Sequence, residues 1–117
     1  MDPNQWRGQT CTVVTHGRYT GAEHLVRVWF VVVHDRFYAA ARGGLTSDWL
    51  RNALHAGELE MRAGKVSCTG NASLAPESDI PEILDAYAEK YRGHGAVIAA
   101  WRANPPTFVR AEATDRT

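Results

Sequence analysis

The sequence predicts a mainly β domain: about six strands in consecutive hairpins, closing into a small antiparallel barrel with two or three inserted helices. Three observations carry this. Short β-rich runs are separated by two-residue or glycine-bearing turns, the mark of hairpins. The regular strand–helix–strand alternation that a parallel sheet requires is absent. The chain has 117 residues, 44% of them hydrophobic, which suffices for one core without disulfide or metal staples.

Residues 1–9 (MDPNQWRGQ) are polar and predict a loose lead-in, with Trp6 able to dock, so the single domain runs over 10–117. Thr10–Thr15 is a first strand. His16–Gly21 (HGRYTG) is a turn, with Gly17 and Gly21 expected to supply positive φ. Ala22–Val33 is a long second strand whose valine-rich end is expected to be buried on both faces. His34-Asp35 has the length of a tight hairpin turn, and Arg36–Ala41 returns as the third strand. After Arg42-Gly43-Gly44, a short helix over Ser47–His55 starts on a capping Ser47, carries Asp48 at its positive end and stops at Gly57. Glu58–Arg62 and Lys65–Leu74 form another hairpin around Ala63-Gly64. Asp79-Ile80-Pro81-Glu82 has the pattern of a helix start with Asp79 as cap, and Ile80, Ile83, Leu84, Tyr87, Ala88 and Tyr91 then keep helical spacing. Arg92–Gly95 is a joint, Ala96–Ala103 a further helical piece ended by Asn104-Pro105-Pro106, and Thr107–Ala113 the last strand.

Composition limits the function. Thirteen Lys+Arg balance thirteen Asp+Glu, which argues against nucleic acid as a partner and gives no reason to expect a membrane surface. The longest apolar run, Val28–Val33, is too short to span a bilayer, and no signal-like N-terminus is present. Two cysteines without CxxC spacing, and no close histidine pair, predict a reduced cytoplasmic chain with no metal site.

Two turns stand out. Gly17-Arg18-Tyr19-Thr20-Gly21 and Arg42-Gly43-Gly44 each combine unobstructed backbone N–H groups with a guanidinium, and the second sits before a helix N-terminus. Brought together by one hairpin, they would make a phosphate cradle. The order Gly-Arg-x-Thr-Gly, then Trp29-Phe30-Val31-Val32, then Phe37-Tyr38, then Arg42-Gly43-Gly44, then Trp49-Leu50-Arg51-Asn52 resembles the split β-barrel superfamily of flavin and deazaflavin proteins. Within it, residues 12–62 look like the deazaflavin-dependent nitroreductase-like group. Ala86-Tyr87-Ala88-Glu89-Lys90-Tyr91 looks more like an uncharacterised branch.

The resemblance implies a pyridoxamine phosphate oxidase-like split barrel, usually a homodimer with its cofactor near the subunit interface. It implies that Arg18, Thr20, Ala40, Ala41, Arg42, Gly43 and Gly44 bind cofactor phosphate, the cofactor being coenzyme F420 or FMN. Arg27 departs from the group's pattern, which has an uncharged residue there, and Ala41 replaces a serine.

Trp49, with Trp29 and Tyr38, is a candidate for stacking on a ring. His94, flanked by Gly93 and Gly95, and the helix tyrosines Tyr87 and Tyr91 are candidates for supplying a proton or hydrogen bond to a substrate. The expected function is therefore a flavin- or deazaflavin-dependent oxidoreductase acting on a small organic substrate. The alternative is a cofactor-free protein on the same fold, either a small-molecule-binding module or an acid–base enzyme using the old pocket.

Overall fold

The computed structural model describes residues 6–113, so the first five residues of the expected lead-in lie outside the described residues. Strands β1 (Thr10–His16), β2 (Glu23–Val33) and β3 (Arg36–Ala41) come first, then helix α1 (Asp48–Ala56). Strands β4 (Glu58–Ala63) and β5 (Val66–Leu74), helices α2 (Ile80–Lys90) and α3 (Gly95–Ala103), and strand β6 (Thr107–Ala113) follow. Single turns of 3₁₀ helix lead into α1, α2 and α3 at Gly44–Thr46, Glu77–Asp79 and Arg92–His94.

The strands close into a six-stranded barrel in the order β1-β2-β3-β6-β5-β4, with every neighbouring pair antiparallel. This is the six-stranded antiparallel barrel expected from the hairpins. Among the described residues no helix is long and apolar enough to cross a membrane.

Period-two alternation divides the hydrophobic residues between two clusters. Val28 and Phe30 of β2, Phe37, Ala39 and Ala41 of β3, and Val109 and Ala111 of β6 pack inside the barrel. Leu59 and Met61 of β4 join them, and Leu50 and Ala53 of α1 contribute to the same cluster. Val31, Tyr38, Ala40 and Phe108 lie on the opposite faces of the same strands. There they pack under Ile83, Leu84 and Tyr87 from α2, Tyr91 at its C-cap, and Ile98 from α3. The valine run is thus covered on both faces, Val32 against the inner cluster and Val33 against the outer one.

The turn at His34-Asp35 has φ of 51° and 63°, the two left-handed residues that a two-residue hairpin of type I′ requires. Gly57 closes α1 at φ 74°. Three local expectations are corrected. Gly21 has φ 72° but Gly17 does not share the left-handed region. Gly17 sits instead in a tight spot, where a Cβ would lie 3.0 Å from Thr20 Oγ1 and 3.4 Å from His24 Nε2. Ser47 stands at the N-cap of α1 without capping it, because its Oγ accepts the Gly43 N–H at 3.1 Å. Asp79 likewise makes no cap bond; its carboxylate takes the Tyr38 hydroxyl at 2.8 Å and Arg110 at 3.3 Å.

Candidate functional site

The pairing of β2 with β3 runs from Val33↔Arg36 to Phe30↔Ala39 and stops. Beyond it the strands separate, and the gap is filled by side chains of α2. The Tyr87 hydroxyl donates to the Trp29 carbonyl at 2.9 Å and bonds the main chain of Ala40. One helical turn on, the Tyr91 hydroxyl enters the other edge of β2 where β1 ends. It accepts the Phe30 N–H at 3.0 Å and donates to the Gln9 carbonyl at 2.5 Å. Spacing of i, i+4 puts both tyrosines on one helix face, so a single helix holds Trp29-Phe30 from both sides. Burial raises both phenols, Tyr87 well above its ordinary value and Tyr91 to about 12.

Trp29 is fixed further by its neighbours. It stacks on Tyr91 at 4.3 Å with an 8° interplanar angle, and meets His94 edge-on at 4.7 Å and Trp101 at 6.2 Å.

On the other side of Trp29 a cavity of about 320 Å³ opens where the strands part. Its apolar floor is Val26, Val28 and Ala40, and Trp29, Trp49 and Trp101 supply aromatic wall. Arg27 from β2 and Arg42, the residue after β3, also line it, and Thr10, Gly43 and Ser47 complete the lining. No carboxylate lines it. Among the described residues neither Arg27 nor Arg42 has an ion-pair partner. The loop at Gly43 is tightly drawn: Thr46 Oγ1 donates to its carbonyl at 2.5 Å, and a Cβ on Gly43 would lie 2.7 Å from Ser47 Oγ. A side chain at Gly43 would push Ser47 Oγ off the Gly43 N–H.

The sequence-predicted residues fall into three groups. Ala40, Arg42, Gly43 and Trp49 meet in this cavity. Ala41 points into the barrel, and Gly44, at φ 58°, is outside the cavity lining. Arg18 and Thr20 are elsewhere. Arg18 reaches across to α1, where it bonds Asn52 Oδ1 at 2.7 Å and lies 3.9 Å from the Asp48 carboxylate. Thr20 Oγ1 accepts the Ala22 N–H within its own turn. Asn52, 3% exposed, is the buried acceptor that draws Arg18 away. Tyr87, Tyr91 and His94 stand behind Trp29 and do not line the cavity.

Sequence reading missed Arg27, Trp101 and Asn52 as site or support residues. Arg27 had a signal, a charge in an otherwise apolar strand. Trp101 had none, since its helix reaches the pocket only through the tertiary fold. Among the described residues no group of His, Cys, Asp and Glu is placed to hold a metal ion.

The family model for DUF2255, described as an uncharacterized protein conserved in bacteria, matches residues 9–110. The chain belongs to that family. All the strands and helices around the pocket fall within or overlap the matched DUF2255 segment. No curated protein matches the chain.

Solved structures resemble this DUF2255 chain in fold. A protein of unknown function from Agrobacterium tumefaciens, Atu2129, superposes with a TM-score of 0.71 at 15% identity over 92% of this chain. The chain spans about half of that protein, 49% of its length. An F420-H2 dependent reductase (FDR-A) gives 0.69 at 14% identity, covering 89% of this chain and 94% of the other. A putative pyridoxamine 5'-phosphate oxidase from Listeria innocua gives 0.66 at 12% identity, covering 93% and 86%. At these identities the likeness shows the fold, a split barrel of the pyridoxamine phosphate oxidase type.

Proposed function

We propose that the protein is a flavin- or deazaflavin-dependent reductase acting on a small organic substrate. The observation that carries this reading is the make-up of one pocket: two guanidiniums that have no acidic partner among the described residues, and three tryptophans. Paired guanidiniums suit a phosphate, and aromatic walls suit a planar conjugated ring. The residues present fit such a group. Arg42 and Arg27 would hold the phosphate, Gly43 leaves the loop backbone free of a side chain at that edge, and Trp29 and Trp101 would flank the ring.

When bound, the cofactor supplies hydride chemistry, which no side chain of the lining offers. The chain's own work is to bind, orient and exclude water. Tyr87 and Tyr91 act as positioning residues, because their hydroxyls fix the backbone that carries Trp29. His94 meets Trp29 edge-on outside the cavity lining, so it acts with the two tyrosines in holding that ring and not as a group that reaches the substrate. The two solved structures whose names point to F420-H2 and pyridoxamine 5'-phosphate chemistry support the reading at the level of fold.

A homodimer belongs to the same proposal. Leu25 and Leu45 are 57% and 60% exposed, apolar surface that a second copy would cover. The second reading is a cofactor-free binding module. It is favoured by the cavity volume of about 320 Å³, at the small end for ligand pockets. An acid–base enzyme is less favoured, since the lining holds no His, Asp, Glu, Cys or Tyr.

Titration with FMN and with coenzyme F420, followed by fluorescence and absorbance, tests the proposal. Arg42→Ala should weaken cofactor binding about ten- to a hundred-fold, the value of a charge-assisted contact. Arg18→Ala should leave affinity unchanged and lower the melting temperature, because Arg18 ties a turn to Asn52. If neither cofactor binds, the reductase reading fails. If binding survives the loss of both Arg27 and Arg42, the anion site is elsewhere.

A further inference from the structure

A second groove, of about 440 Å³, lies away from the pocket and is unused by the proposed function. Its lining combines apolar Trp6 and Val31 with Glu89, Lys90 and Arg92. The Lys90 Nζ sits 3.4 Å above the centroid of the Phe30 ring and donates to the Phe30 carbonyl at 2.8 Å. Among the described residues no carboxylate is paired with it. The charged and titratable groups around it are Cys11 from β1, Tyr91 beside it on α2, and Glu89 and Arg92 at the groove. An amine held against apolar surface without a counter-ion is the setting in which lysine becomes a nucleophile.

We propose that Lys90 is a carbonyl-capturing amine, and that the groove takes a small apolar aldehyde which condenses with it. The ammonium and the aldehyde give a protonated imine and one water: the Lys90 nitrogen forms the C=N bond, the carbonyl oxygen leaves as water with two of the ammonium hydrogens, and one hydrogen stays on nitrogen. That remaining N–H keeps the bond to the Phe30 carbonyl. The retained positive charge stays over the Phe30 ring, a cation–π contact. Burial of Lys90 brings its pKa down from 10.5 to about 8, which raises the neutral, attacking fraction near physiological pH.

The chain carries an internal control, since its other lysine, Lys65, is exposed at the β4–β5 turn. The whole protein is treated with butanal and cyanoborohydride at neutral pH, which converts the imine to a stable secondary amine. Mass spectrometry of peptides then reads each lysine. Lys90 should be modified at least about tenfold faster than Lys65. Its rate should saturate with butanal, rise through a midpoint near pH 8, and lose its advantage in urea. Butanamide, which fills the groove without reacting, should slow Lys90 and spare Lys65, so the test does not depend on a Lys90→Arg variant folding. Equal rates at the two lysines, or a Lys90 rate that is linear in butanal and indifferent to butanamide, overturns the proposal.

Discussion

The barrel interior and the layer outside it are both apolar clusters, and they are built differently. Inside, Val13, Phe30, Phe37, Leu59, Met61 and Val109 fill the lumen with side chains that make no hydrogen bonds. Outside, the bulk comes from Tyr38, Tyr87 and Tyr91, and each hydroxyl has an assigned partner: Asp79, the Trp29 carbonyl, and the Gln9 carbonyl with the Phe30 amide. Apolar packing tolerates volume-conserving swaps, whereas a hydroxyl lodged between backbone groups demands a defined position. The inner cluster gives the chain its shape; the outer one fixes where one strand residue, Trp29, presents its ring to the pocket.

Truncating the lumen should give the largest loss. Met61→Ala removes a fully buried side chain and should cost about 2–5 kcal/mol in urea unfolding. Cofactor affinity of the folded fraction should stay at the wild-type level. A matching loss of affinity would dissolve the distinction between the clusters.

Tyr91→Phe should cost less, about 1–3 kcal/mol, because it leaves the Gln9 carbonyl and the Phe30 amide unpaired while keeping the ring. It should also weaken cofactor binding several-fold through a looser Trp29, read by titration. Full affinity in this variant would reduce the outer layer to ordinary packing.

The smallest effect concerns pH. Lys90 has a folded pKa of about 8 against 10.5 unfolded, so between these values the unfolded chain binds more protons and stability rises with pH. Cys11 and Tyr91, both raised to about 12, act in the opposite sense, holding protons that the unfolded chain has lost. Their contribution falls away as pH climbs from about 9 or 10 toward 12. The melting temperature should therefore rise slightly from pH 7.5 to 9 and then fall, and Lys90→Met should abolish the rise. A rise that persists in that variant would assign it to another group.

These two regions were unequally legible in the sequence. Strand alternation in Val28–Val33 and Phe37–Ala41 already separates lumen from exterior, because a period of two depends only on neighbours. The two-residue gap at His34-Asp35 fixes a hairpin for the same reason. What failed were side chains recruited by distant groups. Ser47 and Asp79 have the types and positions of caps, yet Gly43 in one case and Tyr38 with Arg110 in the other offer better partners. Arg18 and Arg42 look alike as Gly-flanked arginines. Only the fold distinguishes them, since the acceptor for Arg18 is Asn52, 34 residues away, and Arg27 joins Arg42 in the cavity lining instead.

The tyrosine hydroxyls that stand in for missing strand pairing also set an order of events. Tyr87 meets Trp29 across 58 residues and Tyr91 meets Gln9 across 82, whereas the hairpins close within a few residues of their turns. Contacts of such span form late and at high loop-closure cost. The seam of this barrel then assembles after the hairpins, alongside the equally long-range pairing of β3 with β6, and only once α2 has been made and has docked. Its amides report that step: Phe30 N–H should exchange with solvent whenever α2 lifts, ahead of amides bonded strand to strand, and native-state hydrogen exchange would show whether helix and seam open as one unit.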